Sequence, residues 1–80
     1  MTPNEALEEI LKDLSASFGD GLAARIVMSA RSNVQAPETG FNRVQYAEVV
    51  ATLCKDPRVI GMLGELGVGE KKKRWERFIS

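Results

Sequence analysis

The side chains that most often carry out chemistry are scarce in this chain of 80 residues. There is no histidine, which removes the commonest general base at neutral pH and the commonest metal ligand. The single cysteine, Cys54, lies among apolar residues at helical spacing, where an inert buried thiol is expected. The late glycines follow no predicted strand, so they do not form a phosphate-binding loop. We therefore predict a non-enzyme that has neither a metal nor a cofactor.

The stretch from Gly40 to Leu53, GFNRVQYAEVVATL, resembles the loop end and exiting helix of an EF-hand. If Pro37 is the first loop position, Val44, Tyr46 and Glu48 match the apolar eighth, aromatic tenth and acidic twelfth positions of that family. This resemblance is confined to residues 40–53 and implies a helical domain that binds a peptide or a protein.

The first half of the same loop departs from the EF-hand pattern. Its first, third and fifth positions are Pro37, Thr39 and Phe41, which supply no carboxylate, and Asn42 stands where the family has glycine. Calcium needs several oxygen ligands at those places, so the resemblance implies a degenerate hand without calcium. Alternatively, apolar residues at helical spacing after a loop produce the match. The two interpretations differ at Val44, which is extended in an EF-hand and helical in a plain bundle.

The charged residues are concentrated at the two ends of a chain whose net charge is zero. Residues 1–20 carry five acidic side chains and one lysine, and residues 70–80 carry five basic side chains and two glutamates. Either the two ends pair with each other across the fold, or the basic end is offered to an acidic partner. Within this basic segment we predict the partner-binding residues to be Lys72, Lys73, Trp75, Arg77 and Phe78.

These observations favour a small protein-interaction or regulatory module whose partner presents an acidic surface. We expect Trp75 to dock on the rest of the fold, because so small a core can hardly spare its only tryptophan. Lys72, Lys73 and Arg77 should then remain exposed to the partner. The alternatives are the EF-hand-like domain and a nucleic-acid-binding protein that acts through the basic segment. Zero net charge argues against the latter, which usually has a basic excess.

The composition predicts one domain, residues 1–80, of ordinary soluble type. A single cysteine excludes an internal disulfide and suits a reducing compartment. The acidic, amphipathic start does not resemble a signal peptide, and no apolar run approaches the ~20 residues of a transmembrane helix. We expect a cytoplasmic protein, and homodimerisation remains open as a source of added stability.

The fold should be organised around a helix near residues 42–55. Asn42 and Gln45 have the spacing of a capping box, and Pro57 disfavours helical geometry at the residue before it. The apolar residues of this helix cover more than half its circumference, which predicts a central helix with several neighbours. They are Val44, Tyr46, Ala47, Val49, Val50, Ala51, Leu53 and Cys54.

The complete prediction is an all-α bundle of four helices, near 3–18, 21–35, 42–55 and 57–66, with a short fifth helix near 70–79. Thr2 and Asp20 are the expected N-caps of the first two helices, and Glu5 stands three residues after Thr2, as in a capping box. Gly67 should end the fourth helix, and Leu66 should face the core. The helical spacing of Gly61 and Gly64 suggests that another backbone approaches the fourth helix closely.

Overall fold

The computed structural model describes residues 1–36 and 39–80, and in these ranges the chain forms four helices and no strand. The helices are α1 (Pro3–Phe18), α2 (Asp20–Val34), α3 (Arg43–Lys55) and α4 (Pro57–Arg77). The predicted all-α class is therefore confirmed. Pro37, which belongs to the predicted loop and to the EF-hand comparison, lies outside the described residues.

Two of the four helix starts are fixed by capping boxes that the sequence predicted. The Thr2 hydroxyl accepts the Glu5 backbone N–H at 3.2 Å, and the Glu5 carboxylate accepts the Thr2 N–H at 2.9 Å. Asn42 and Gln45 make the equivalent pair of bonds at the start of α3, at 2.9 and 3.0 Å. The prediction for α2 is wrong, because Asp20 already lies within the helix and Gly19 takes the N-cap position without a side-chain bond.

The core is one cluster of buried apolar side chains to which all four helices contribute. α3 contacts α1, α2 and α4, and it buries Tyr46, Val49, Val50 and Leu53, which recur at helical spacing. The apolar arc predicted for α3 was too wide, because Val44 is 68% exposed. The other fully or nearly fully buried residues are Ala6, Leu7, Ile10, Leu14, Ala23, Ile26, Val27, Ala30, Phe41, Val59, Val68 and Trp75.

The predicted short fifth helix is not a separate element, because α4 extends from Pro57 to Arg77. It is interrupted only at Gly64, whose φ of 75° and ψ of 165° place it in a region that glycine alone occupies readily. Gly67 is helical, so the predicted end of the fourth helix at that residue is wrong. The break at Gly64 changes the direction in which the following side chains point, and Leu66 is 88% exposed instead of facing the core.

The predicted close approach of another backbone to Gly61 and Gly64 is also wrong. A Cβ built on either residue would have no heavy atom of another described part of the fold within 4 Å. Gly64 is required by its backbone conformation, whereas Gly61 lies in a regular turn of α4 with open space beside it.

Substitution of Val50 by aspartate should strongly destabilise the fold. Val50 is 1% exposed, so the carboxylate would be placed without a partner among packed side chains, at a cost of several kcal/mol. Glu48→Ala, on the exposed side of the same helix, should cost under about 0.5 kcal/mol. Urea unfolding of the two variants is the measurement, and similar losses in both would contradict the position of α3 in the core.

A pair of glycine substitutions tests the break in α4. Gly64→Ala should destabilise the fold by roughly 1–3 kcal/mol, because alanine is strained at this φ and ψ. Gly61→Ala should instead stabilise the fold by up to ~1 kcal/mol, because it replaces a helical glycine where there is room for a Cβ. Thermal unfolding of both variants gives the comparison. A Gly64→Ala protein as stable as the Gly61→Ala protein would show that α4 is continuous.

Candidate interaction surface on the C-terminal half of α4

The C-terminal half of α4 is attached to the other helices through Trp75. The indole is completely buried, and its Nε1–H donates a hydrogen bond of 3.1 Å to Oδ2 of Asp13 on α1. The Trp75 carbonyl accepts a 2.6 Å bond from the hydroxyl of Tyr46 on α3. These two bonds connect one residue of α4 to two neighbouring helices, and Trp75 therefore docks as the sequence predicted.

The environment of Tyr46 keeps its hydroxyl protonated and able to donate. Burial raises the pKa of this phenol well above its ordinary value, and the negative charge of Glu76 raises it further. The ring of Tyr46 also packs against Phe41, with 6.4 Å between ring centroids. The donor to Trp75 is thus present throughout the neutral pH range.

Asp13 is the point at which the acidic and basic ends of the chain meet. The same Oδ2 that accepts the indole N–H lies 3.0 Å from Nε of Arg74 and 3.8 Å from Nζ of Lys71. The Arg74 guanidinium also lies over the ring of Phe78, at 5.4 Å from its centroid. Two of the five cations in the basic segment are thereby directed toward α1, and Phe78 is half-buried beside them.

The remaining three cations are exposed, but they do not share one side of the helix. At 3.6 residues per turn, Lys73 and Arg77 each lie about 160° from Trp75, so both point away from the core. Lys72 lies on the flank that faces α3, where its charge lowers the pKa of Cys54, although burial raises that pKa more. None of the three forms an ion pair with a carboxylate among the described residues.

A groove of about 560 Å³ runs beside the outward cations. Leu63 and Gly67 supply its apolar part, and the exposed side chain of Leu66 is close to them in the chain. Sequence reasoning missed Leu66 because it assumed an unbroken inward stripe on the fourth helix. The glycines within residues 61–69 were the sequence feature that could have indicated this exposure. A helix can break at a glycine, and the side chains that follow then point in a new direction. The charged residues that line the groove are Glu70, Lys71, Lys73, Arg74 and Arg77.

A second groove, of about 470 Å³, lies between α1 and α2. Its walls are mainly Leu7, Leu11, Val27 and Met28, and Met28 is mostly exposed. It contains none of the predicted partner-binding residues.

A metal site and a transmembrane helix have requirements that can be compared with the described part of the chain. No group of three or more histidine, cysteine, aspartate or glutamate side chains in residues 1–36 and 39–80 is arranged to hold a metal ion. Among those residues, no helix has the length and apolar character needed to cross a membrane. Val44, where the EF-hand and bundle interpretations differ, lies in the first turn of α3.

Comparison with known proteins identifies no relative of this chain. No protein-family model, curated protein or solved structure matches the chain. Any assignment of function therefore rests on the geometry described above.

Replacement of Asp13 by alanine tests its role as the acceptor for Trp75. The buried indole N–H would lose its partner, which should cost about 1–3 kcal/mol in the free energy of unfolding. The ion pair with Arg74 should contribute little to this loss, because the Arg74 side chain is 57% exposed. Glu9→Ala is the matched control, since it also removes one carboxylate from α1 but breaks only a surface pair with Lys12. Denaturant unfolding at low and high salt should distinguish the two variants, and equal losses would contradict the buried hydrogen bond.

Proposed function

We propose that this chain is a small, non-enzymatic protein-interaction module that binds an acidic surface of a partner protein. The contact is made by three exposed cations near the end of α4 that are not directed to Asp13, namely Lys72, Lys73 and Arg77. Trp75 and Phe78 hold this part of the helix against the other helices. Binding regulates or localises the partner, and no bond is made or broken.

The observation that carries this proposal is that Asp13 contacts only some of the cations in the basic segment. Lys71 and Arg74 lie close to Asp13, whereas Lys73 and Arg77 point outward without a carboxylate partner among the described residues. Because Trp75 fixes the helix, the outward cations are held at set positions before any partner arrives. A surface ordered in advance loses less conformational entropy on binding than a flexible tail does.

The absence of an enzymatic role is supported by the environment of the only thiol. Burial raises the pKa of Cys54, which disfavours the reactive thiolate. The sequence provides no histidine to act as a base for it. One cysteine is also compatible with a reducing compartment, so we place the interaction in the cytoplasm.

Nucleic acid is the competing class of partner for the same cations. Lys71 and Arg74, which would be needed for an extended phosphate-binding surface, are directed to Asp13. The three remaining cations of the basic segment, on a protein of zero net charge, suit a local acidic patch better than a polyanion. We therefore favour a protein partner.

Charge reversal on α4 tests the proposal. The variant Lys72→Glu, Lys73→Glu, Arg77→Glu should lose the partners that the intact protein captures from an extract of its own organism. The matched control Lys12→Glu, Arg25→Glu, Lys55→Glu makes the same change in net charge at exposed positions elsewhere, and it should retain them. The captured partner is then purified and its affinity is measured directly. We expect at least a ~10-fold loss for the α4 variant alone.

The same affinity measurements separate the two partner classes. Binding of a single-stranded oligonucleotide that is tighter than binding of the purified protein, with a steep loss at higher salt, would replace our proposal by nucleic-acid binding. Equal capture by all three proteins would show that the exposed cations of α4 are not the contact.

A further inference from the structure

The outward side of the C-terminal half of α4 has an apolar position in line with its cations. Leu66 precedes Lys73 by seven residues and Arg77 by eleven, which are close to two and three complete helical turns. The helix is regular after Gly64, so these three side chains point in nearly the same direction. Leu66, which is 88% exposed, is in line with two cations that have no carboxylate partner among the described residues, and the three side chains form a combined apolar and basic stripe.

The stripe is bordered by the groove that Leu63 and Gly67 help to form. Gly67 leaves the helix surface low at this point, and a Cβ there would lie only 3.2 Å from Cβ of Leu63. A large apolar side chain from a partner that covers Leu66 can therefore extend into the groove toward Leu63 and the backbone of Gly67. Such burial would remove Leu66 from water, where its exposure is unfavourable.

We infer, on the basis of the proposed function, that the partner segment is an acidic amphipathic helix. It places a large apolar side chain against Leu66 and the groove at Gly67, and two carboxylates against Lys73 and Arg77. At 1.5 Å per residue the cations lie about 10 and 16 Å along the axis from Leu66. A helix packed along α4 meets all three positions when its carboxylates follow, or precede, its apolar residue by seven and eleven positions.

Glu70 adds a further requirement on that helix. It lies between Leu66 and Lys73 along the outward side of α4, lines the groove, and is exposed. The partner is expected to place a lysine or arginine opposite it, four positions from the apolar residue. A carboxylate at that place would be repelled, so Glu70 discriminates among acidic helices.

An anionic lipid surface is a poorer fit to the same residues. The aromatic side chains that a membrane-surface helix would insert are turned toward the bundle, because Trp75 is buried and Phe78 is half-buried. Glu70 would be repelled by anionic headgroups, and the concave groove at Gly67 cannot be reached by a flat bilayer. The fit therefore favours a protein helix.

The test uses two stapled helical peptides of about 15 residues, the length below which free helices are marginal. The first carries a leucine, a lysine four positions later and glutamates seven and eleven positions later. The second has the same composition, but its glutamates are moved two positions further along, to the far side of the helix. Affinities for the intact protein are measured by fluorescence anisotropy, together with those of Leu66→Gln and Lys73→Gln variants.

We expect the first peptide to bind at least ~10-fold more tightly than the second, and Lys73→Gln to remove much of that difference, because the two peptides differ only in where their glutamates point. Leu66→Gln should weaken the binding of both peptides, because both carry the leucine. A serine in place of the peptide leucine should have little effect once Leu66 is replaced, because both changes break one contact. Leu66 is exposed, so its substitution should leave unfolding unchanged, and a urea transition checks this.

Several results would overturn the inference. One is equal binding of the two peptides, and another is tighter binding to vesicles containing phosphatidylserine than to the first peptide. The failure of this inference is distinct from the failure of the proposed function. If charge reversal abolishes binding of the natural partner and Leu66→Gln does not, the acidic-partner proposal stands without the amphipathic helix; if neither change has an effect, both are wrong.

Discussion

The buried indole of Trp75 holds the C-terminal half of α4 on the other helices, and the arrangement of the surface depends on it. A tryptophan buries roughly 200 Å² on folding, which is worth about 5 kcal/mol at the usual ~25 cal/mol per Å². The indole N–H would oppose this burial if it had no acceptor, and Asp13 supplies one at 3.1 Å. Tyr46 adds a second bond from α3 to the Trp75 carbonyl. The helix is thus fixed both in position and in rotation.

Rotation of α4 decides which cations reach solvent. With Trp75 toward the core, Lys71 and Arg74 fall beside Asp13, and the helical repeat turns Lys73 and Arg77 outward. The break at Gly64 acts on the other end of the same segment. Side chains after Gly64 point in different directions from those that an unbroken helix would give. As a result, Leu66 is exposed and in line with the outward cations.

The sequence was most informative at the starts of α1 and α3, where structure depends on near neighbours. The capping boxes at Thr2 and Asn42 follow from residues three positions apart, and both form as predicted. The docking of Trp75 was also predictable, because a core of this size has few large side chains. The wrong predictions for α4 share a different cause. The backbone of Gly64 depends on how α4 meets the other helices, and no local pattern shows which of several glycines will break a helix.

The same limit applies to the candidate surface. The sequence already set Lys72, Lys73 and Arg77 apart as the cations offered to a partner, but it could not show that Lys71 and Arg74 meet at Asp13. It also placed Leu66 in the core, since an apolar residue at helical spacing is normally buried. Whether such a residue lies on the surface can be decided only when the tertiary contacts of its helix are known.

Exchange of the Trp75 indole N–H with solvent is the most direct test of the central claim. The chain has one tryptophan, so a single indole resonance reports the exchange in an NMR spectrum of the intact protein. Burial and the bond to Asp13 predict exchange that is slower by orders of magnitude than in the urea-unfolded chain, and much faster exchange in Asp13→Ala. Exchange in the native protein at the rate of the unfolded chain would contradict the docked position of α4 and the surface that depends on it.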